Sequence, residues 1–243
     1  MIKIFQKIRQ KLLADNRFSK YSIYAIGEIV LVVIGILIAL NINNSNERSK
    51  LKHKELVLLT EMQQNLKQDL VTINGIIAGN KERTRSNEVV KFALETKLPF
   101  HDSLKYHFGN IFGNFEFHEN PSAWESLKSI GLDLISNESL RNSLAKLYAK
   151  KYTYIKNIEE NTDDVIQWGQ LYPQILKHIN IDKLWVSGSP ENYEELTYDR
   201  EFLEVVKMNV CMRNYIQSLY NEVKKSVTSV LTQVDSQIQY LEK

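Results

Sequence analysis

The chain has 243 residues, 43% hydrophobic and 25% charged, with a net charge of +2 and only 9 glycines and 4 prolines. This is a globular composition, which excludes collagen-like, low-complexity and disordered classes. The lone cysteine, Cys211, excludes an intrachain disulfide.

The N-terminal segment MIKIFQKIRQKLL sets Ile4, Phe5, Ile8 and Leu12 at helical spacing, with Lys3, Lys7, Arg9 and Lys11 between them. Residues 1–20 therefore read as a basic amphipathic cytoplasmic segment lying in the headgroup layer. With Arg17 and Lys20, six basic side chains stand against Asp15, a net +5, and the rest of the chain sums to −3. Basic flanks stay in the cytoplasm, so the N-terminus is expected inside and the large C-terminal part outside. Arg48, Lys50, Lys52 and Lys54 blunt that rule.

Ser22 to Ile42, SIYAIGEIVLVVIGILIALNI, is apolar except for one ionisable side chain, Glu28. As a helix it measures roughly 31 Å, the thickness of a bilayer's hydrocarbon core, and residues 21–44 are expected to span a membrane. A cleaved signal has a shorter apolar core and a small-x-small exit, whereas this one ends in Ala39-Leu40-Asn41. Glu28, Leu31, Gly35, Ile38 and Ile42 share one helical face, and Gly35-x-x-x-Ala39 permits close helix approach. That face is expected to contact a second copy or a partner membrane protein. The other reading is a tilted single anchor with Glu28 protonated or wetted. The Asn41–Asn46 cluster that follows leaves a break and an unbroken helix equally open.

Residues 45–243 are expected to form one all-helical extracytoplasmic domain. Leu59, Met62, Leu66, Leu70, Ile73 and Ile77 step by threes and fours, marking a helix over 47–79. Shorter helices are expected over 86–97, 102–112 and 122–130. A third long helix should start near Asn137 and run through Leu140, Leu144, Leu147, Tyr148 and Ile155. Gly169 and Pro173 should bend or interrupt it before His178. Phe202, Val205, Met212, Ile216, Leu219, Val223, Val227, Val230, Val234, Ile238 and Leu241 mark a last helix over 198–243. That stripe is long enough for a coiled-coil-like packing seam. Strand-like alternation is nowhere sustained, so the fold class is all-α: one transmembrane helix followed by a bundle of long helices.

Three stretches, FSKYSIYAIGEIVLVVIGILIALNINNSNE (Phe18 to Glu47), SLKYHFGNIFG (Ser103 to Gly113) and PSAWESLKSIGLDLISNESLRNSLAKLY (Pro121 to Tyr148), resemble a family of membrane-anchored Bacteroidota proteins of unknown function. The resemblance implies an N-terminal anchor in the bacterial inner membrane and a helical, periplasmic remainder. It carries over no catalytic residue.

No phosphate loop, nucleophile elbow or zinc-protease motif occurs. His101, His107 and His118, with Asp102, Glu116 and Glu119 among them, match no metal spacing and read as solvated or capping residues. Cys211 reads as a small core residue. Tyr106, Phe108, Phe112, Phe115, Phe117 and Trp124 cluster around Gly109, Gly113 and Pro121, and form either a partner or ligand surface or a cap on the bundle. The loop Asp182 to Thr197, with Trp185, Gly188, Pro190 and Tyr193, is a second contact surface. The expected function is non-catalytic: a membrane-anchored scaffold, accessory subunit or sensor acting by protein association. It needs no cofactor, and its partners are the lipid bilayer and another membrane protein or a second copy. The basic residues beside the span are too few for a nucleic-acid face. The alternatives are a ligand-binding sensor domain and an enzyme whose site uses no recognised motif.

Overall fold

The computed structural model describes Lys7, Gln10 and residues 18–243. The amphipathic segment expected over residues 1–20 rests largely on positions outside this set. The described chain forms two compact units, one up to Lys54 and one from Glu55 to Lys243.

Helix α1, Phe18–Glu95, contributes to both units. It stays unbroken through Asn41–Asn46, where poor helix formers occur but no glycine or proline interrupts the ladder. From Ile26 to Ile42 its apolar side chains are bare on every face, with Ile26 61%, Leu31 67% and Ile42 66% exposed. Among the described residues it is the one helix long and apolar enough to cross a membrane.

Within the second unit α1 is followed by α2 (Leu104–Gly109) and α3 (Ser122–Ile130). Helix α4 runs from Glu138 to His178, β1 (Ile179–Lys183) pairs antiparallel with β2 (Ser187–Pro190), and α5 (Tyr193–Leu196) leads into α6 (Arg200–Leu241). Asn137 and Asp199 start α4 and α6 by accepting the backbone N–H of Leu140 and Phe202. The all-α reading thus holds apart from one hairpin, which replaces the expected loop after Asp182. The separate helix expected from residue 86 is the end of α1.

Besides Leu58, Asn65, Ser86 and Ala93 of α1 and Val210 and Met212 of α6, the buried positions of α1 and α6 fall on strict 4-3 spacing. In α6 they are Phe202, Val206, Asn209, Arg213, Ile216, Tyr220, Val223, Val227, Val230, Val234, Gln237 and Leu241. Glu55, Leu59, Met62, Leu66, Asp69, Ile73, Ile76, Asn80, Arg83, Asn87, Val90 and Leu94 answer them in α1. Cys211 lies between two stripe positions and is exposed, not a core residue as its surroundings implied.

Helix α4 follows a different period. Ile155, Glu159, Asp163, Gln167, Leu171, Ile175 and Ile179 are buried at every fourth residue. A regular α-helix overshoots by about 40° per four residues, so the five steps within the helix, from Ile155 to Ile175, would carry the stripe about 200° around. Of three wide π-helical turns, Leu147–Tyr152, Glu159–Asp163 and Gln167–Leu171, the last two lie within this stretch and take up drift there. Gly169 lies in the third of them. Pro173 opens the α-helical segment Tyr172–His178, where its missing N–H costs little. Neither residue ends the helix, and the interruption expected near them takes the form of the π turn Gln167–Leu171.

Pairings fix the topology of this unit. Glu55 meets Gln237 of α6, Asn87 meets Asn209 of α6, and Asp69 meets Tyr152 of α4. Helices α1 and α4 therefore ascend and α6 descends. The chain returns between α1 and α4 through residues 110–120 and α3, giving an up-down-up-down bundle whose second column is mostly not helical. One apolar core lies toward Glu55, with Leu59, Leu66, Leu144, Val227 and Val230. The other lies toward Glu95, with Val90, Phe108, Phe112, Ile175 and Val206.

Candidate functional site

A polar layer separates the two cores, formed by Asn80, Arg83 and Asn87 of α1, Glu159, Asp163 and Gln167 of α4, and Asn209 and Arg213 of α6, all buried. Its cause lies in the second column. From Ile111, against Asn87, to Asn120, against Asp69, the segment advances nine residues while α1 retreats eighteen. At about 3.3 Å per extended residue and 1.5 Å per helical one, both distances come to about 30 Å, so residues 110–120 form an extended strap. An extended chain cannot satisfy its own backbone groups, and the strap is buried at Asn110, Ile111, Phe112, Gly113 and Phe117 without a neighbouring strand.

The helices supply the missing partners. Ile111 O accepts from Asn87 Nδ2 at 2.9 Å and from Asn209 Nδ2 at 2.7 Å. Phe112 O accepts from Arg83 Nη1. Gly113 N donates to Gln167 Oε1 at 2.8 Å, Phe117 N to Glu159 Oε2 at 3.3 Å and Asn120 N to Asp69 Oδ1 at 3.0 Å. Behind this row Gln167 bonds Asn209 at 2.6 Å and Asn209 bonds Asn87 at 2.9 Å. Arg213 bridges Asp163 and Asn80. The hydroxyls of Tyr220 and Tyr152 close the row by donating to Glu159 and Asp69, the latter at 2.8 Å.

Burial sets the electrostatics here. Desolvation lowers Arg83 to about 10, and it lowers Arg213 to about 9 with Arg83's like charge adding. Both remain cationic at neutral pH. Burial pushes Asp69 up to about 6 and Glu159 up to about 7, against the pull of their hydrogen bonds. Among the described residues Arg83 pairs with no carboxylate. Its guanidinium lies 4.7 Å from the Phe115 ring centroid and 5.8 Å from that of Trp185. Arg83 Nε, Asp163 Oδ2 and Arg213 Nε have no hydrogen-bond partner.

Glycines let the strap lie this close. Gly113 has φ +87°, and a Cβ there would come within 2.6 Å of Arg83 Nη1. Replacing Gly113 with alanine is expected to destabilise the protein by about 3 kcal/mol, from left-handed strain plus the clash. Chemical denaturation of the two forms measures it, and a loss below about 1 kcal/mol would mean the strap relaxes away from Arg83. Gly79 makes room in the same way for the Phe115 ring.

The structure divides the aromatic cluster expected as one surface. Phe108 and Phe112 lie in the core toward Glu95, and Phe117 and Trp124 in the core toward Glu55. Phe115 is half-buried beneath Arg83, and Tyr106 is 43% exposed. Trp124 stacks on Tyr148 at 5.0 Å and Phe117 meets Tyr152 edge-on at 5.0 Å. These aromatics anchor the strap and its flanks at both ends. Trp185 stands at the hairpin turn with φ +61° and half exposed, whereas Gly188 is buried. His101 bonds Ser103, His107 faces Ser86 and His118 pairs with Glu116, so the three histidines point to different neighbours. Among the described residues no group of three His, Cys, Asp or Glu stands close enough to hold a metal ion. In the apolar N-terminal part of α1, Glu28, Leu31, Gly35 and Ala39 are all exposed, and the Cβ position at Gly35 is open.

Reading the apolar residues alone misses the layer. Asn209 and Arg213 occupy the stripe between Val206 and Ile216, as Asn80, Arg83 and Asn87 do between Ile76 and Val90. Keeping the 4-3 phase through those gaps would have found them.

The chain belongs to the Family of unknown function (DUF6090), whose model matches residues 28–181, from within the apolar part of α1 through α4 to the start of β1. No curated protein and no solved structure matches it.

Proposed function

We propose that this family member is a single-span membrane protein of the bacterial inner membrane, of Bacteroidota type, acting by protein–protein association without catalysis. Its N-terminus lies in the cytoplasm and its helical unit in the periplasm. The observation that carries the reading is the bare helix from Ile26 to Ile42, apolar on every face. In water that surface would cost about 25 cal/mol per Å², and a bilayer removes the cost. The +5 charge of residues 1–20 supports the orientation. Glu28 is the sole ionisable group in the span and shares a face with Leu31, Gly35 and Ala39, which supports pairing there with another membrane helix.

The test is a pair of reporters fused after Lys243, one active only in the periplasm and one only in the cytoplasm. The periplasmic reporter is expected to be active. A cytoplasmic readout reverses the orientation, and recovery of the full chain from the soluble fraction removes the anchor. In-membrane cross-linking of the same fusions should yield a dimer or a defined heteromer, and monomer alone would leave a bare anchor.

A further inference from the structure

We propose that the segment 110–120 is a pH-released strap, held in the bundle while Asp69 and Glu159 are protonated and loosened when they ionise. The geometry is the same at two levels of the bundle. Each carboxyl group is buried, takes one backbone N–H of the strap (Asn120 or Phe117), and takes a tyrosine hydroxyl from an adjacent long helix (Tyr152 or Tyr220). Each also faces an acidic residue of the strap itself, Glu119 beside Asp69 and Glu116 beside Glu159. Ionising the helix carboxyls therefore sets like charge near like charge at the strap's two anchor points, with Asp69 and Glu159 buried, Glu119 partly buried and Glu116 exposed and paired with His118.

The other charged or titratable groups around each site are few, and one of them, His118 of the strap, pairs with Glu116 at 3.6 Å. Asp69 faces Tyr148 and Tyr152 of α4 along with Glu119. Glu159 faces Asp164 of its own helix, Glu116 of the strap, and Tyr220 and Arg213 of α6, while Arg83 of α1 acts on Arg213. Arg213 is directed to Asp163 and Asn80, so its charge offsets Glu159 only in part. A tyrosine hydroxyl both donates and accepts. The protonated carboxyl can donate a hydrogen bond to the tyrosine oxygen while its other oxygen still accepts the strap's N–H, so the closed state survives protonation.

The sign follows from linkage. Both carboxyls titrate higher when buried, near 6 and 7, than their ordinary values of 3.8 and 4.5. Between these limits the closed state holds more protons than the open one. Closure is therefore favoured toward about pH 5 and weakens as pH rises through about 7.

Hydrogen exchange on the full chain in lipid nanodiscs tests this, comparing strap amides at about pH 5.5 and pH 8 after correction for intrinsic exchange rates. Protection of residues 110–120 is expected to fall about tenfold or more on going to the higher pH, with α6 protected at both. The double variant Asp69→Asn/Glu159→Gln, neutral at every pH, should keep its strap protection constant. Equal protection of the native strap at both pH values overturns the proposal. So does an equal fall throughout α6, which would report global unfolding, or a folded double variant that keeps the native pH dependence. The native comparison decides by itself should the variant fail to fold.

Discussion

Replacing Arg213 with methionine is expected to destabilise the full chain by about 3–5 kcal/mol, a large part of the stability of an ordinary domain. The side chains of Arg213 and Asp163 are each only 1% exposed and pair directly. Removing the guanidinium strands a carboxylate in the polar layer and frees Asn80 Oδ1 from its arginine donor. Methionine fills most of the volume, so the loss would come from the uncompensated charge and not from a cavity. The double variant Arg213→Met/Asp163→Leu should recover more than half of it, because no lone charge remains. Urea unfolding of the detergent-solubilised protein, followed by far-UV circular dichroism, gives both numbers. A single-variant cost below about 1 kcal/mol would show that Glu159 or Arg83 rebalances the layer.

Ending the chain after Leu219 is expected to abolish cooperative unfolding of the helical unit. The cut removes Tyr220, Val223, Val227, Val230, Val234 and Leu241, all buried in the core toward Glu55. At about 1.5–3 kcal/mol per buried side chain the loss is on the order of 10 kcal/mol, comparable to the whole stability of a domain. It also withdraws the Tyr220 hydroxyl from Glu159 and the Gln237 amide from Glu55 and Ser136. A thermal melt of the truncated protein in the same detergent should show a broad, non-cooperative loss of helix. A sharp transition with full helical content would mean that the second half of α6 is an appendage.

The pH dependence expected of the strap runs against the common pattern in which paired carboxylates make proteins fail in acid. Asp69 and Glu159 are buried mainly against aromatic and neutral groups, so they favour the closed state in their uncharged form. The two arginines do not reverse this, since Arg213 is directed to Asp163 and Arg83 to a backbone carbonyl and two rings.

What the residue order determined by itself is local. The apolar run marks a helix able to cross a membrane, because every side chain in it makes the same demand on its solvent. Serial 4-3 spacing places α6 within two residues of its observed ends, and Asn137 announces the start of α4 through a bond to a backbone group three residues on. Helix α3 falls at the expected 122–130 for the same reason: its periodicity lies between Pro121 and Gly131. What only the tertiary structure decided is how distant segments satisfy one another. The strap carries no signal of its own, since it forms no ladder and its hydrogen bonds reach residues 24 to 98 positions away. The same dependence explains why Glu159, Asp163 and Gln167 look like a solvated face in sequence. The π turns at Glu159–Asp163 and Gln167–Leu171 bring them inward, where Glu159 and Gln167 serve backbone groups of the strap and Asp163 pairs with Arg213.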